Sequence, residues 1–329
     1  MTIDRRSMLG LATACLGAVA LGVSSFAYAA GYPEKPVTVY IGFSAGGPTD
    51  TVGRLLAEKL GQKLGQTFVV ENKAGASGVV AANLVKAAKP DGYTLMLGSS
   101  STLSIIPYVQ KGIQYDSVKD FTPVALVASY PYYLTVPANS RFQTFDDLIA
   151  YGRDEKNRLS YASAGTGAVN HLAGEWLKDE TKINALHVPY KGDSAAIPDL
   201  IAGRVDFALL AGIVALPQVE AGKLRILASA SSAPDKGAPN IEIIGQVKAP
   251  GFDAEPWNGL MGPAGLPENV VSTLNSAVND VLSDPEVKAQ LRTLDQYPFT
   301  STPEQFRTHI EDQSSRWAGI IKKANIVIE

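Results

Sequence analysis

Two glycine-rich stretches carry the residue types best suited to holding a ligand: Ser44-Ala45-Gly46-Gly47-Pro48-Thr49-Asp50 and Ser163-Ala164-Gly165-Thr166-Gly167. Each begins Ser-Ala-Gly, follows a strand-like run and opens a helical pattern. At such a turn glycine lets backbone N–H groups approach a ligand closely. A helix start adds about half a positive charge, so each loop can hold an anion without Lys or Arg. Ordinary βα turns use the same residue types, but their paired occurrence favours two loops gripping one anion from opposite sides.

Sharper motifs at the same place fail on particular residues. Gly42 to Gly47 has phosphate-loop spacing, but Pro48 stands where the essential Lys must be. A dinucleotide fingerprint needs Gly where Ser44 sits. Gly42-Phe43-Ser44-Ala45-Gly46 does fit the G-x-S-x-G elbow of serine hydrolases, with Asp206 and His309 following in the right order. Against it, Ser44 ends the first strand of the mature chain, so no earlier loop can supply the second oxyanion donor. His309 also falls inside a helical pattern. His171 and Glu175 are one helical turn apart and could in principle hold a metal, yet the chain has only three histidines and no third ligand nearby.

The elements that must position these loops alternate along the chain. Val37 to Phe43 reads as a buried strand, and Val52, Leu55, Leu56 and Leu60 follow at helical spacing. Thr67 to Glu71, Val79 to Ala88 and Tyr93 to Gly98 continue the series as strand, helix and strand, hence a parallel sheet covered by helices. A strand-like stretch from Phe121 to Val136, broken by Pro131, leads into a second series. There Thr144 and Asp147 form a capping box. Strands follow at Leu159 to Ala162, Ala185 to Pro189, Val205 to Leu209 and Leu224 to Ser229. The Ala-, Gly- and Pro-rich stretch from Ala230 to Pro267 reads as a connection. Three helices come after it, the last opened by Thr302 and Gln305 with an apolar face at Phe306, Ile310, Trp317 and Ile321. Helices without a sheet of their own must pack on one already made, so the chain is expected to leave a first lobe, build a second and return.

Composition narrows the function. With 329 residues, 46% hydrophobic, and 29 Lys+Arg against 32 Asp+Glu, the chain can build a large core but has no field to gather nucleic acid. One cysteine, Cys15, allows no internal disulfide or Cys-based metal site. It falls in an export signal: Arg5 and Arg6, an apolar run from Met8 to Val23, then Ala27-Tyr28-Ala29 for cleavage. Asp4-Arg5-Arg6-Ser7-Met8-Leu9 also resembles a twin-arginine signal. The competing lipoprotein box at Leu11 to Cys15 leaves too short an apolar region.

Several strings resemble one family: FSAGGPTDTVGR (Phe43 to Arg54), VVENKAG (Val69 to Gly75), PDGYTL (Pro90 to Leu95), HLAGE (His171 to Glu175), HVPYKG (His187 to Gly192) and GRVD (Gly203 to Asp206). It is the Bug family of periplasmic solute receptors, partners of tripartite tricarboxylate transporters, and the likeness runs the length of the mature chain. The resemblance implies an α/β, two-lobed periplasmic-binding-protein fold of the Venus flytrap type II, with a parallel-rich sheet and flanking helices in each lobe. The expected organisation is a signal peptide over 1–29, lobe 1 from 30–129 plus 253–329, and lobe 2 from 130–252. By the resemblance, a dicarboxylate, tricarboxylate or aromatic acid is held by backbone amides and bridging waters. The expected contacts are Ser44, Gly46, Gly47, Thr49 and Asp50 from one lobe, with Asp50 ordering the loop or its water. From the other they are Ser163, Gly165, Thr166, Gly167 and Asn170. Phe43 and Tyr133 are expected at the ligand's apolar middle and Asp206 near its far end, with His171 as structural support. Ala45 departs from the proline common in relatives. The implied protein is a monomeric periplasmic receptor, not an enzyme, without cofactor or metal, whose partners are a small organic acid and an integral-membrane transporter. A ligand-sensing subunit for a sensor kinase would use the same cleft.

Overall fold

The computed structural model describes residues 31–232 and 240–323; the expected export signal, with Cys15, lies outside them. Strand β1 (Val37–Ile41) buries Val37, Val39 and Ile41 from alternate positions, the two-residue period of a strand. Helix α1 (Pro48–Leu64) begins with Pro48, whose missing N–H costs nothing in a first turn, and ends at Gly65 in the left-handed conformation. It leads to β2 (Phe68–Asn72), and α2 (Val79–Lys86) leads to β3 (Thr94–Ser99), both parallel to β1. A short α3 (Ile106–Val109) precedes β4 (Phe121–Ser129).

At Tyr130 and Pro131 the chain crosses into a second sheet, which opens with β5 (Tyr132–Pro137). Then come α4 (Phe145–Arg153), β6 (Leu159–Ser163), α5 (Val169–Thr181), β7 (Ala185–Pro189), α6 (Asp193–Ile201) and β8 (Phe207–Ala211). The series closes with α7 (Gly212–Glu220), β9 (Leu224–Ser229), β10 (Glu242–Ile243) and α8 (Ile244–Val247). The expected capping box opens α4: Thr144 Oγ1 accepts from the Asp147 amide, and Asp147 accepts from the Thr144 amide.

The chain returns through β11 (Trp257–Pro263), then α9 (Glu268–Ser283), α10 (Pro285–Thr293), β12 (Tyr297–Pro298) and α11 (Pro303–Lys323). Each sheet has six strands, in the orders β12-β4-β11-β3-β1-β2 and β10-β9-β5-β8-β6-β7. The two repeat one plan. A βαβαβ unit (2-1-3 or 7-6-8) meets an antiparallel strand that has just crossed from the other lobe, β11 or β5. Both sheets are therefore mixed: within each βαβαβ unit helices connect the parallel strands, β10 adds a parallel pair beside β9, and the crossing strands β5 and β11 pair antiparallel with their neighbours.

Two expectations need correction. The stretch from Ala230 to Pro267 is not merely a connection, because β11 lies at the centre of the first sheet, between β3 and β4. It is buried along its whole length, so alternation is absent, and Gly259 leaves room for the ring of Phe306. The last helix does not belong to one lobe. Phe306 and Ile310 pack under the first sheet with Met96 and Trp257, while Trp317 enters the core of the second with Tyr161 and Phe207.

Candidate functional site

The site forms where the carboxyl ends of both sheets meet at the two crossings. Tyr130 N donates to Pro256 O, and Ala230 N to Tyr132 O, which ties outgoing and returning strands together. Between the lobes is a small cavity lined by Phe43, Ser44, Gly47, Pro48 and Thr49 from one side. Ala164, Gly192 and Asp193 face them, with Ser99, Ser101, Tyr130 and Tyr132 closing the back. None of these lining residues is Lys or Arg, so attraction for an anion comes from the start of α1, where Gly47 and Thr49 stand.

Asp50 holds the first loop in shape. It is 3% exposed; Oδ2 accepts from Gly46 N (2.9 Å) and Arg54 Nε (3.0 Å), and Oδ1 from Asn72 Nδ2 (2.8 Å). Burial pushes the carboxyl up, but hydrogen bonds from Arg54, Gly46 and Asn72 more than offset it and hold Asp50 below the usual carboxylate range. Asn72 Nδ2 also donates to Phe43 O, so strand end and loop are pinned by one side chain. Gly46 has φ +76°, a turn that a side chain would strain.

The second loop uses its amides differently from the first. Ala164 N donates to Asn170 Oδ1, Gly165 N to Ser163 Oγ, Gly167 N to His171 Nδ1, and Val169 N to Ser101 Oγ. Most of its donors are thus engaged within the protein, and only Ala164 of this loop lines the enclosed cavity. Gly165 and Thr166 instead line an adjoining recess of about 200 Å³ with Phe43, Ser77 and Tyr190. His171 serves the loop as an acceptor and stacks on His187 at 3.8 Å; burial, with the nearby Lys178 charge, lowers it to about 4, so it stays neutral. Ser163 in turn hydrogen-bonds His187 Nε2.

The structure therefore sorts the expected site residues. Phe43, Ser44, Gly47 and Thr49 meet at the cavity, with Gly165 and Thr166 beside it. Gly46, Asp50, Ser163, Gly167 and Asn170 are not among the residues lining either space; they brace the loops that do. Tyr133 and Asp206 are elsewhere. Tyr133 is wholly buried with its hydroxyl on Asp295 Oδ2 (2.9 Å), since its neighbours Tyr130 and Tyr132 take the cavity side. Asp206 precedes β8 and accepts from Ser160 N and Oγ (both 2.8 Å) at the amino ends of the strands, opposite the cleft. The hydrolase constellation is likewise dispersed: Ser44 Oγ lies 3.1 Å from Ser194 Oγ, and His309 packs edge-on to Trp257. Asp193 was missed. Its position directly after HVPYKG, at a third strand-to-helix turn, was the available signal.

The rims of the cleft touch. Ser44 N donates to Lys191 O (3.0 Å), Ser194 Oγ to Ala45 O (3.0 Å), and Ser77 Oγ to Thr166 O (2.7 Å). The lobes are drawn together around the cavity, as in a closed two-lobed receptor.

The sequence family described as "tripartite tricarboxylate transporter family receptor" matches residues 52–326. The chain belongs to this receptor family. It is 32% identical over 307 residues to protein BugT of Bordetella pertussis, covering 92% of this chain and 93% of the relative. Among solved structures it resembles Rhodopseudomonas palustris Rpa4515 with adipate, with a TM-score of 0.87 and 31% identity over 90% of this chain and 99% of that one. It also resembles R. palustris MatC with bound malate, with a TM-score of 0.83 and 32% identity over 88% and 100% of the two chains. The family supplies the two-lobed α/β architecture and the role of solute receptor. Among the described residues, no helix is long and apolar enough to cross a membrane, and no group of three or more His, Cys, Asp or Glu is placed to hold a metal.

Proposed function

We propose that this receptor works in the periplasm, where its lobes close on a small carboxylate and carry it to an integral-membrane transporter. The observation that carries the reading is the enclosed cavity at the start of α1, with Ser44, Gly47 and Thr49 on its wall and no basic side chain. A carboxylate is satisfied there by N–H groups, a hydroxyl and the helix dipole, which hold an acid locally in a chain of net negative charge. Adipate and malate in the two relatives support the class, and the sequence's export signal supports the compartment. Ser44 works as a binding hydroxyl: its Oγ neighbour is Ser194, so it has no base to make it a nucleophile.

Isothermal titration of the purified mature protein with succinate, malate, adipate, citrate and benzoate tests the reading. At least one should bind one molecule per monomer and raise the melting temperature. Hydrolysis of a chromogenic ester, lost in Ser44→Ala, together with silence in the titrations would defeat it.

A further inference from the structure

The second glycine loop is held at both ends by hydroxyls from the other lobe. Helix α5 follows Ala168, which has no side-chain oxygen to cap a first turn, and its first residue, Val169, is wholly buried. The first amides of a helix have no partner within it, and the side chain just before the helix usually answers one of them. Here the Val169 amide donates across the cleft to Ser101 Oγ at 3.0 Å. Ser101 opens the turn Ser101–Ile105 after β3 and is 5% exposed. Earlier in the loop, Thr166 O accepts from Ser77 Oγ at 2.7 Å. Ser77 reaches it from a turn in which Ala76 (φ +46°) and Ser77 (φ +50°) are both left-handed, a conformation that residues with a side chain rarely adopt. The turn is fixed from behind: Thr102 Oγ1 donates to Ser77 O at 2.9 Å, and Tyr115 donates to Thr102 O at 2.6 Å. Strained backbone persists only where its surroundings enforce it, and what this turn provides is the reach of the Ser77 hydroxyl across the cleft.

We infer that Ser77 and Ser101 form a clasp that stabilises the closed form through protein contacts alone, with α5 of one lobe capped by a serine of the other. When the lobes part, water can reach the Val169 amide. When they meet, that amide leaves water, and only Ser101 keeps it from being buried without a partner. Gly165 keeps the second contact open, since a Cβ there would lie 2.9 Å from Ser77 Oγ. Both serines are positioning residues: they fix where the second loop stands against the start of α1, and closing gains a contribution that does not depend on solute.

The inference rests on the proposed closing of the lobes but on no particular solute, and its test uses none. Once the expected export signal is removed the chain has no cysteine, so a pair of thiols can report closure. Ser44→Cys with Ser194→Cys suits this, because the two hydroxyls lie 3.1 Å apart across the rim. In a glutathione redox buffer, the rate at which this parent forms its disulfide follows the closed population. Adding Ser101→Ala should slow the rate about tenfold, because closing then buries the Val169 amide unpaired. Adding Ser77→Ala should slow it about threefold, since Thr166 is exposed and water can replace the hydroxyl. The melting temperatures of the reduced proteins should match the parent's. Cross-linking at the parent's rate would overturn the inference, and a lowered melting temperature with that rate unchanged would show a brace within one lobe instead. Should Ser101→Ala fold poorly, Ser77→Ala decides. Failure of the carboxylate reading would appear separately, as silence in the titrations while the two serines still govern the rate.

Discussion

Single side chains at this cleft act mostly by holding backbone in place. Asp50 is the clearest case, since it gathers the Gly46 amide, Asn72 and Arg54 on one buried carboxylate. Asp50→Ala should leave those donors unanswered at about 1–3 kcal/mol each, lowering the melting temperature by several degrees and weakening ligand binding by about tenfold or more. Ser44→Ala removes one hydroxyl that already has a partner in Ser194, so affinity should fall only about fivefold, with the fold intact by circular dichroism. The histidine pair predicts a pH response. Burial lowers His187 to about 3, helped by His171, and His171 to about 4, whereas unfolded imidazole titrates at about 6.5. The unfolded chain therefore binds more protons below that value, and stability is lost as pH falls from about 6.5 toward 4. Asp193, raised to about 7, works in the opposite sense, favouring the folded state at low pH and losing that contribution as pH rises through about 7. Two imidazoles outweigh one carboxyl, so calorimetry of the unliganded protein should show the melting temperature rising between about pH 4.5 and 6.5. A flat profile would mean that the pair is not neutral.

At the scale of elements, the hinge strands and the last helix have consequences that no local pattern announces. β11 passes so close to α11 that a Cβ on Gly259 would stand 2.0 Å from the Phe306 ring. Gly259→Val should therefore be severely destabilising, read as loss of soluble protein or a melting temperature lowered by ten degrees or more, roughly 3 kcal/mol by the cost of overpacking. The start of α7 meets Asp295 in the same way, with a Gly212 Cβ at 1.9 Å from Oδ2, and Tyr133 and Tyr297 donate to that carboxylate. Tyr133→Phe should cost about 1 kcal/mol of stability and leave ligand affinity nearly unchanged, because Tyr133 belongs to the hinge and not to the cavity. β4 and β5 show why the sequence misleads here. Phe121 to Val136 reads as one broken strand, yet its halves join different sheets, and Pro131 marks the crossing rather than an irregularity.

For the molecule as a whole, function depends on two lobes meeting. Gly192 has φ +135° and its Cβ would lie 2.4 Å from Ser44 Oγ across the cleft, so it is needed both by its own turn and by closure. Gly192→Ala should hold the lobes apart: ligand affinity would fall by about tenfold or more, and the contraction seen by small-angle scattering on ligand addition would be lost. Contraction equal to the wild type's would show that the rim contact is dispensable. Much of this architecture was legible from local patterns. The strand-helix alternation, both capping boxes, and the glycine loops at strand ends follow from spacing and turn chemistry within a few residues, and so could be seen in the chain alone. The motif strings carried the family, which the matched residues then bore out. Which side chains face the cavity was not legible, because that depends on distant partners. Tyr133 reads like Tyr132 until strand register turns one to Asp295 and the other to the cleft, and Asp206 reads as a strand-end acid until pairing with Ser160 sends it to the far edge. Asp193 shows the limit most plainly. As a residue it is an ordinary helix-opening acid, and only closure of two lobes, with Asn170 behind it and two tyrosines beside it, makes it a buried carboxyl facing the ligand space.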